Sequence, residues 1–216
     1  MIYAIGDSFT YGDELPSQDL AWPALLGSKL NKLVINKGLP ASGNTRIVKR
    51  AVDAAIDQAE MIIIGWSDSN RVEFADEMGI YDIWAGRDCR VFQLNEASYR
   101  NTLVKYLTAY DLPEYYYANW LRQIILVQNL CKAKNIPCVM FIACGAYAMH
   151  QLYNSQFTKL VDAIDLSCFV DNTLELSVGE WIWGTKLMPN GHPSEAGHEI
   201  IANKIYEHIG NISRLS

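Results

Sequence analysis

Cysteine is scarce and odd in number: the five residues Cys89, Cys131, Cys138, Cys144 and Cys168 stand mostly in apolar surroundings. That pattern excludes a disulfide framework and predicts free, buried thiols in a reducing compartment. Cys138 and Cys144 lack metal-pair spacing and no histidine follows at a zinc-finger interval, so no structural metal is expected. Positive charge is also short, with 18 Lys and Arg against 24 Asp and Glu. A net charge of −6 argues against general attraction to nucleic acid or an anionic membrane, and Lys32, Lys37, Arg46, Lys49 and Arg50 form at best one local basic patch. Apolar runs such as Ile136 to Ala143 fall far below the roughly 20 residues of a membrane span. No basic leader precedes the first apolar strand, which begins at Ile2, so no signal peptide is expected. The expected location is the cytoplasm; a protein made inside a cell and carried in a virion would have the same features.

What remains is a globular composition, half apolar and 19% charged, in a chain of 216 residues that suits one domain. Apolar segments of strand length alternate with helical periodicity. Strands are predicted at Ile2–Gly6, Lys32–Asn36, Met61–Gly65, Ile136–Ala143 and Cys168–Asp171, with Pro137 at the start of the fourth. Helices are predicted over Leu20–Leu30, Thr45–Ala59, Asn119–Lys134, Tyr153–Ile164 and Ser194–Ile209, with Asp19 a candidate cap for the first and Pro23 in its opening turn. Leu174 to Met188 is expected to be extended or turn-rich. The fold class is therefore α/β, a three-layer sandwich around a mostly parallel sheet of about five strands. From Arg71 to Ala118 the period breaks down into an acidic, aromatic insertion that includes Tyr115-Tyr116-Tyr117 and a helix over about Glu96–Thr108. It is either a substrate lid, since aromatic faces stack on sugar rings and acids accept hydroxyl hydrogen bonds, or ordinary helical packing.

Three strand ends carry glycine and small polar residues: Gly6-Asp7-Ser8-Phe9, Ala41-Ser42-Gly43-Asn44-Thr45 and Gly65-Trp66-Ser67-Asp68. Their convergence on one crevice is expected of a doubly wound sheet. The first lacks the glycine spacing of a dinucleotide loop. Singly, Ser8 is a turn residue, Ser67 a helix cap and His192 a loop residue; occurring in this order they favour a common site.

Gly6-Asp7-Ser8-Phe9, Asn36 with Ser42-Gly43-Asn44-Thr45, Gly65-Trp66-Ser67-Asp68 and Gly191-His192-Pro193-Ser194-Glu195-Ala196-Gly197-His198 resemble, in order, the sequence blocks of the SGNH hydrolases, the GDSL-type esterases and lipases. The resemblance implies the strand order 2-1-3-4-5, Ser8 as nucleophile, His192 as base, and an oxyanion hole from the N–H groups of Ser8 and Gly43, with Gly38 as the alternative glycine. It implies no metal or organic cofactor, and bracing roles for Asp7 and Asp68 through short hydrogen bonds. Two positions depart from the pattern. Ser67 stands where the family has an oxyanion-binding asparagine, and a hydroxyl is a shorter, freer donor than an amide. The places of the triad aspartate hold Pro189 and Asn190, so Asn190 is the candidate to orient His192 through its carbonyl oxygen, with Asp171 a remote alternative. His198 is expected to be structural. The leading functional expectation is a serine ester hydrolase acting on a small-molecule or saccharide ester, such as an O-deacetylase of acetylated saccharides. The alternative is an inactive or weakly active protein of the same fold with a glycan-binding, accessory or structural role.

Overall fold

The computed structural model describes residues 1–76, 79–84, 113–145 and 155–215. Its sheet has four parallel strands: β1 (Ile2–Gly6), β2 (Val34–Gly38), β3 (Met61–Trp66) and β6 (Cys138–Ile142), in the order β2-β1-β3-β6. β4 (Arg71–Asp76) and β5 (Gly79–Trp84) form a separate antiparallel hairpin. The helices are α1 (Ser8–Tyr11), α2 (Trp22–Leu30), α3 (Asn44–Ile56), α4 (Pro113–Lys134), α5 (Thr158–Asp162), α6 (Val178–Trp181) and α7 (Glu195–Leu215).

Strand periodicity sorts the core into two layers, because successive side chains leave opposite faces of the sheet. Tyr3, Ile5, Ile62, Ile64, Met140 and Ile142 meet α3 and α4 through Ile47, Ala51, Leu121 and Ile124. Ile2, Ala4, Ile63, Val139 and Phe141 meet α2 and α7 through Trp22, Leu26, Ile201 and Ile205. With both faces covered, each central strand is apolar throughout, as the sequence predicts for parallel strands. The result is the expected three-layer sandwich. Among the described residues, no helix is long and apolar enough to cross a membrane.

The fifth strand position differs from expectation. Cys168–Asp171 forms parts of two 3-10 turns, Leu166–Cys168 and Val170–Asn172, and among the described residues it is joined to the sheet by an isolated parallel bridge, Phe169 to Met140, rather than by a ladder. Asp171 and Asn172 take φ values of 61° and 53°, left-handed conformations that no strand can continue through. A second isolated bridge, Ile142 to Ser177, occupies the same edge. The Leu174 to Met188 segment contains α6, started by a reciprocal capping box between Ser177 and Glu180. Tyr115-Tyr116-Tyr117 belongs to the start of α4 rather than to an irregular excursion, with Tyr117 buried in the core and Tyr115 exposed. The helix expected over Glu96–Thr108 lies outside the described residues.

α2 is capped across the fold. Its N-cap, Ala21, has no side-chain acceptor, and Asp19 lies instead in a 3-10 turn capped by Ser17. The Trp22 N–H donates to Nδ1 of His198 at 3.2 Å, so His198 satisfies a helix-end donor from α7, 176 residues away. Burial, followed by the charge of His192, lowers the His198 pKa from 6.5 to about 4. The unfolded chain therefore binds a proton near pH 6.5 that the folded chain refuses until about pH 4, and stability falls as pH drops through that window. Between pH 7 and pH 4.5 this one group costs about 2 kcal/mol. Urea unfolding at the two pH values, repeated on His198→Gln, is expected to show a flatter dependence in the variant. An equal slope in both would place the acid sensitivity elsewhere.

Candidate active site

The site lies at the carboxyl ends of β1, β3 and β6, where the order of the sheet reverses between β1 and β3. β1 ends at Gly6, and Asp7 turns the chain in an extended conformation as N-cap of α1, its Oδ1 accepting the Phe9 N–H at 3.0 Å. Ser8 is thus the first helical residue, 7% exposed, and its N–H is one of the donors that a helix start leaves without an intrahelical partner. Gly12, at φ 85°, closes the turn by donating to Ser8 O at 3.0 Å. Asn36 on β2 clamps the helix end: its Nδ2 donates to Thr10 O at 3.0 Å and Tyr11 O at 3.2 Å. The sheet thereby fixes the helix that carries Ser8.

The second and third strand ends are joined by Asn44. Its Nδ2 donates to Ser67 O at 3.0 Å and Asp68 O at 3.1 Å, and its Oδ1 accepts the Ser67 N–H at 3.0 Å. Gly43 is the N-cap of α3, immediately before this clamp. Ser67 is 1% exposed, and its Oγ faces Cys144 Sγ at 3.4 Å. Cys144 in turn donates to Asp7 Oδ2 at 3.0 Å, which also pairs with Arg71 at 3.5 Å. Burial first, and then the Asp7 charge, push the Cys144 thiol far above its usual value, so it stays a protonated donor. Asp68 braces its loop by accepting the Asn70 N–H at 2.8 Å. Both aspartates are buried, and each accepts a backbone N–H two residues ahead.

Beside Ser67 is a cavity of about 20 Å³, lined by Asp68, Tyr117, Trp120, Ile142, Cys144 and Gly145 among others, with room for about one water molecule. Asp68 Oδ2, Tyr117 OH and Trp120 Nε1 are buried and have no hydrogen-bond partner among the described residues. A more polar cavity of about 130 Å³ lies between α3, β4 and α4, lined by residues including Asn44, Arg71, Glu73, Tyr115, Asn119 and Gln123.

His192 precedes α7 on a loop turned by Gly191 at φ 89°. Its ring meets Phe9 edge-on, with centroids 5.8 Å apart, which brings it beside the residue following Ser8. No hydrogen bond joins Ser8 to His192 among the described residues; such contacts are often long before substrate binds. The residues proposed to orient the histidine fall elsewhere. Asp171 pairs with Lys204 at 2.7 Å. Asn190 does not accept from His192: its backbone N–H and Nδ2 both donate to Glu14. The partner of His192 Nδ1 is Glu14 Oε2, at 2.7 Å, and Asp13 Oδ2 lies 3.8 Å from Nε2. Glu14 is not marked by the residues just before the histidine, because the contact spans 178 residues; the signal in the sequence is the Asp13-Glu14 pair close behind the Ser8 block.

No family model and no curated protein matches the sequence. Solved structures do match the fold. A protein assigned to the lipolytic G-D-S-L family from Desulfitobacterium hafniense DCB-2 is 16% identical, with a TM-score of 0.54 over 96% of this chain and 98% of that one. A catalytic mutant of Axe2, an acetylxylan esterase from Geobacillus stearothermophilus, is 17% identical, with a TM-score of 0.54 over 97% and 93%. A two-domain esterase active on acetylated mannans is 13% identical, with a TM-score of 0.52 over 98% of this chain and 49% of that one. The chain has the SGNH hydrolase fold.

Proposed function

We propose that the protein is a serine ester hydrolase that removes short acyl groups, acetyl above all, from saccharide esters. The observation that carries the reading is the meeting of His192 with the one-turn helix that begins at Ser8, at the switch point of the sheet. In this mechanism Nε2 of His192 takes the Ser8 proton as Oγ attacks the ester carbonyl. The negative charge on the tetrahedral oxygen is met by the Ser8 and Gly43 N–H groups and the Ser67 hydroxyl. His192 then protonates the leaving alkoxide and activates a water that releases the acid from Ser8. No metal or organic cofactor enters these steps.

The saccharide part of the reading draws on the polar cavity beside Asn44, whose amides and charged groups suit hydroxyls and whose Tyr115 offers an aromatic face. Two of the structurally similar proteins, an acetylxylan esterase and an esterase active on acetylated mannans, support it. Acetate release from 4-nitrophenyl acetate, acetylated xylo-oligosaccharides and acetylated manno-oligosaccharides is expected, and is absent if the reading is wrong. Ser67→Ala is expected to lower kcat roughly tenfold with little change in KM. That is less than the 10²–10³ typical of an oxyanion-hole amide, because the Ser67 hydroxyl is shared with Cys144. An unchanged kcat would remove Ser67 from the oxyanion hole.

A further inference from the structure

The loop before His192 has no carboxylate, and the structure brings one from the other end of the chain. Glu14 Oε2 lies 2.7 Å from His192 Nδ1. The same carboxylate accepts the Asn190 backbone N–H, at 3.1 Å on Oε1 and 3.2 Å on Oε2, and Asn190 Nδ2 at 2.8 Å on Oε1. Burial raises the Glu14 pKa, but the hydrogen bonds from His192 and Asn190 together with the histidine charge outweigh it and hold the carboxyl below its usual value. An ionised carboxylate can only accept, so when the ring is neutral the contact places its proton on Nδ1 and leaves the Nε2 lone pair for a proton from elsewhere. Asp13 Oδ2, 3.8 Å from Nε2 and 38% exposed, is beyond hydrogen-bonding distance.

The backbone is bent to make this contact. Glu14 has φ 67°, a left-handed conformation that a long side chain rarely adopts, two residues after Gly12 at φ 85°. Strain of this kind persists where the surroundings over-determine it. Here the surroundings are α1, clamped by Asn36, and the Asp13 N–H donating to Ser8 O at 3.1 Å. Ser8 and Glu14 therefore stand on one braced helix-and-turn segment, and His192 meets it from the far end of the chain.

We infer that Glu14 is the positioning acid of this site, holding His192 in the Nδ1–H tautomer from the nucleophile's own loop in place of the carboxylate missing before the histidine. The inference rests on the serine ester hydrolase reading. Glu14 stays ionised throughout: it accepts a hydrogen bond from Nδ1–H and favours the imidazolium formed when Nε2 takes the Ser8 proton. A glutamine at position 14 can instead donate to Nδ1 and favour the tautomer that cannot act as base, the fault behind the roughly 10⁴-fold loss when the aspartate of a serine-protease triad is changed to asparagine.

The test uses the full chain with ¹⁵N-labelled histidine, comparing wild type, Glu14→Gln and Glu14→Asp. It reads acetyl-ester turnover that depends on Ser8, and the imidazole tautomer by NMR. Wild type is expected to show a downfield Nδ1–H resonance. Glu14→Gln is expected to lose that resonance and to lower kcat by about 10²–10⁴ with KM within about threefold. Glu14→Asp is expected to recover part of the kcat, and a Glu14→Asp no better than Glu14→Gln would count against a role for the carboxylate. Wild-type turnover that Glu14→Gln leaves within threefold overturns the inference while the esterase reading stands. Wild type without Ser8-dependent turnover overturns the esterase reading and the role with it. If Glu14→Gln does not fold, folded wild type decides, and absence of the downfield resonance overturns the inference.

Discussion

Ser8→Ala is expected to lower acetyl-ester turnover by about 10⁴-fold or more, to the background rate, while leaving the fold and its unfolding midpoint almost unchanged. Ser8 packs no apolar surface that the alanine would give up, and it keeps its place at the start of α1 because the Asp7 cap and the Gly12 closure are backbone and neighbour interactions. What the substitution removes is the oxygen that attacks in the proposed mechanism. Where nucleophile and base act as a unit, losing either costs nearly as much as losing both, about 10⁶-fold in the serine protease subtilisin. His192→Ala is therefore expected to match Ser8→Ala, and the double variant to add nothing further. Residual Ser8→Ala turnover within tenfold of wild type would show that the observed hydrolysis has another source.

The second large effect is expected at Gly38, where β2 passes under α1. A Cβ there would stand 2.3 Å from Tyr11 N, 2.7 Å from the Thr10 carbonyl carbon and 2.8 Å from Tyr11 Cα, all backbone atoms of α1. No side-chain rotation relieves these contacts, so Gly38→Ala must push α1 off the strand or bend β2. Overpacking of this kind costs about 1–3 kcal/mol. The displaced helix also carries Ser8, and a shift near 1 Å at a reacting group costs about 10²-fold in rate. Gly38→Ala is thus expected to lower both the urea midpoint and kcat. Gly210→Ala in α7, where a Cβ would meet nothing within 4 Å, serves as control and is expected to be neutral or stabilising by up to about 1 kcal/mol. Full activity and stability in Gly38→Ala would contradict the close approach of β2 to α1.

The elements legible in the sequence are those written in local pattern. The apolar runs at Ile2, Met61 and Cys138 become the central strands, and α3 appears within a few residues of its predicted bounds. The small polar residues after β1 and β3 do converge, because parallel strands deliver their carboxyl ends to one edge. Consecutive tyrosines carry no helical period, which hid the start of α4 although Tyr117, Trp120 and Leu121 form its buried face. The short apolar run at Phe169 looked like a strand, and the left-handed pair Asp171 and Asn172 that ends it has no signature in hydrophobicity. The partner of His192 was the least legible feature. Nothing local marks Glu14 as facing a histidine 178 residues later; that pairing exists only once β1 and the loop before α7 share one end of the sheet.

The central claim, that Ser8 is an activated nucleophile, is tested most directly by incubating the folded protein with a fluorophosphonate probe and finding the labelled residue by peptide mass spectrometry. Stoichiometric labelling at Ser8 is expected, and it is expected to disappear in Ser8→Ala and His192→Ala. Folded protein that is never labelled, or is labelled equally without His192, would contradict it.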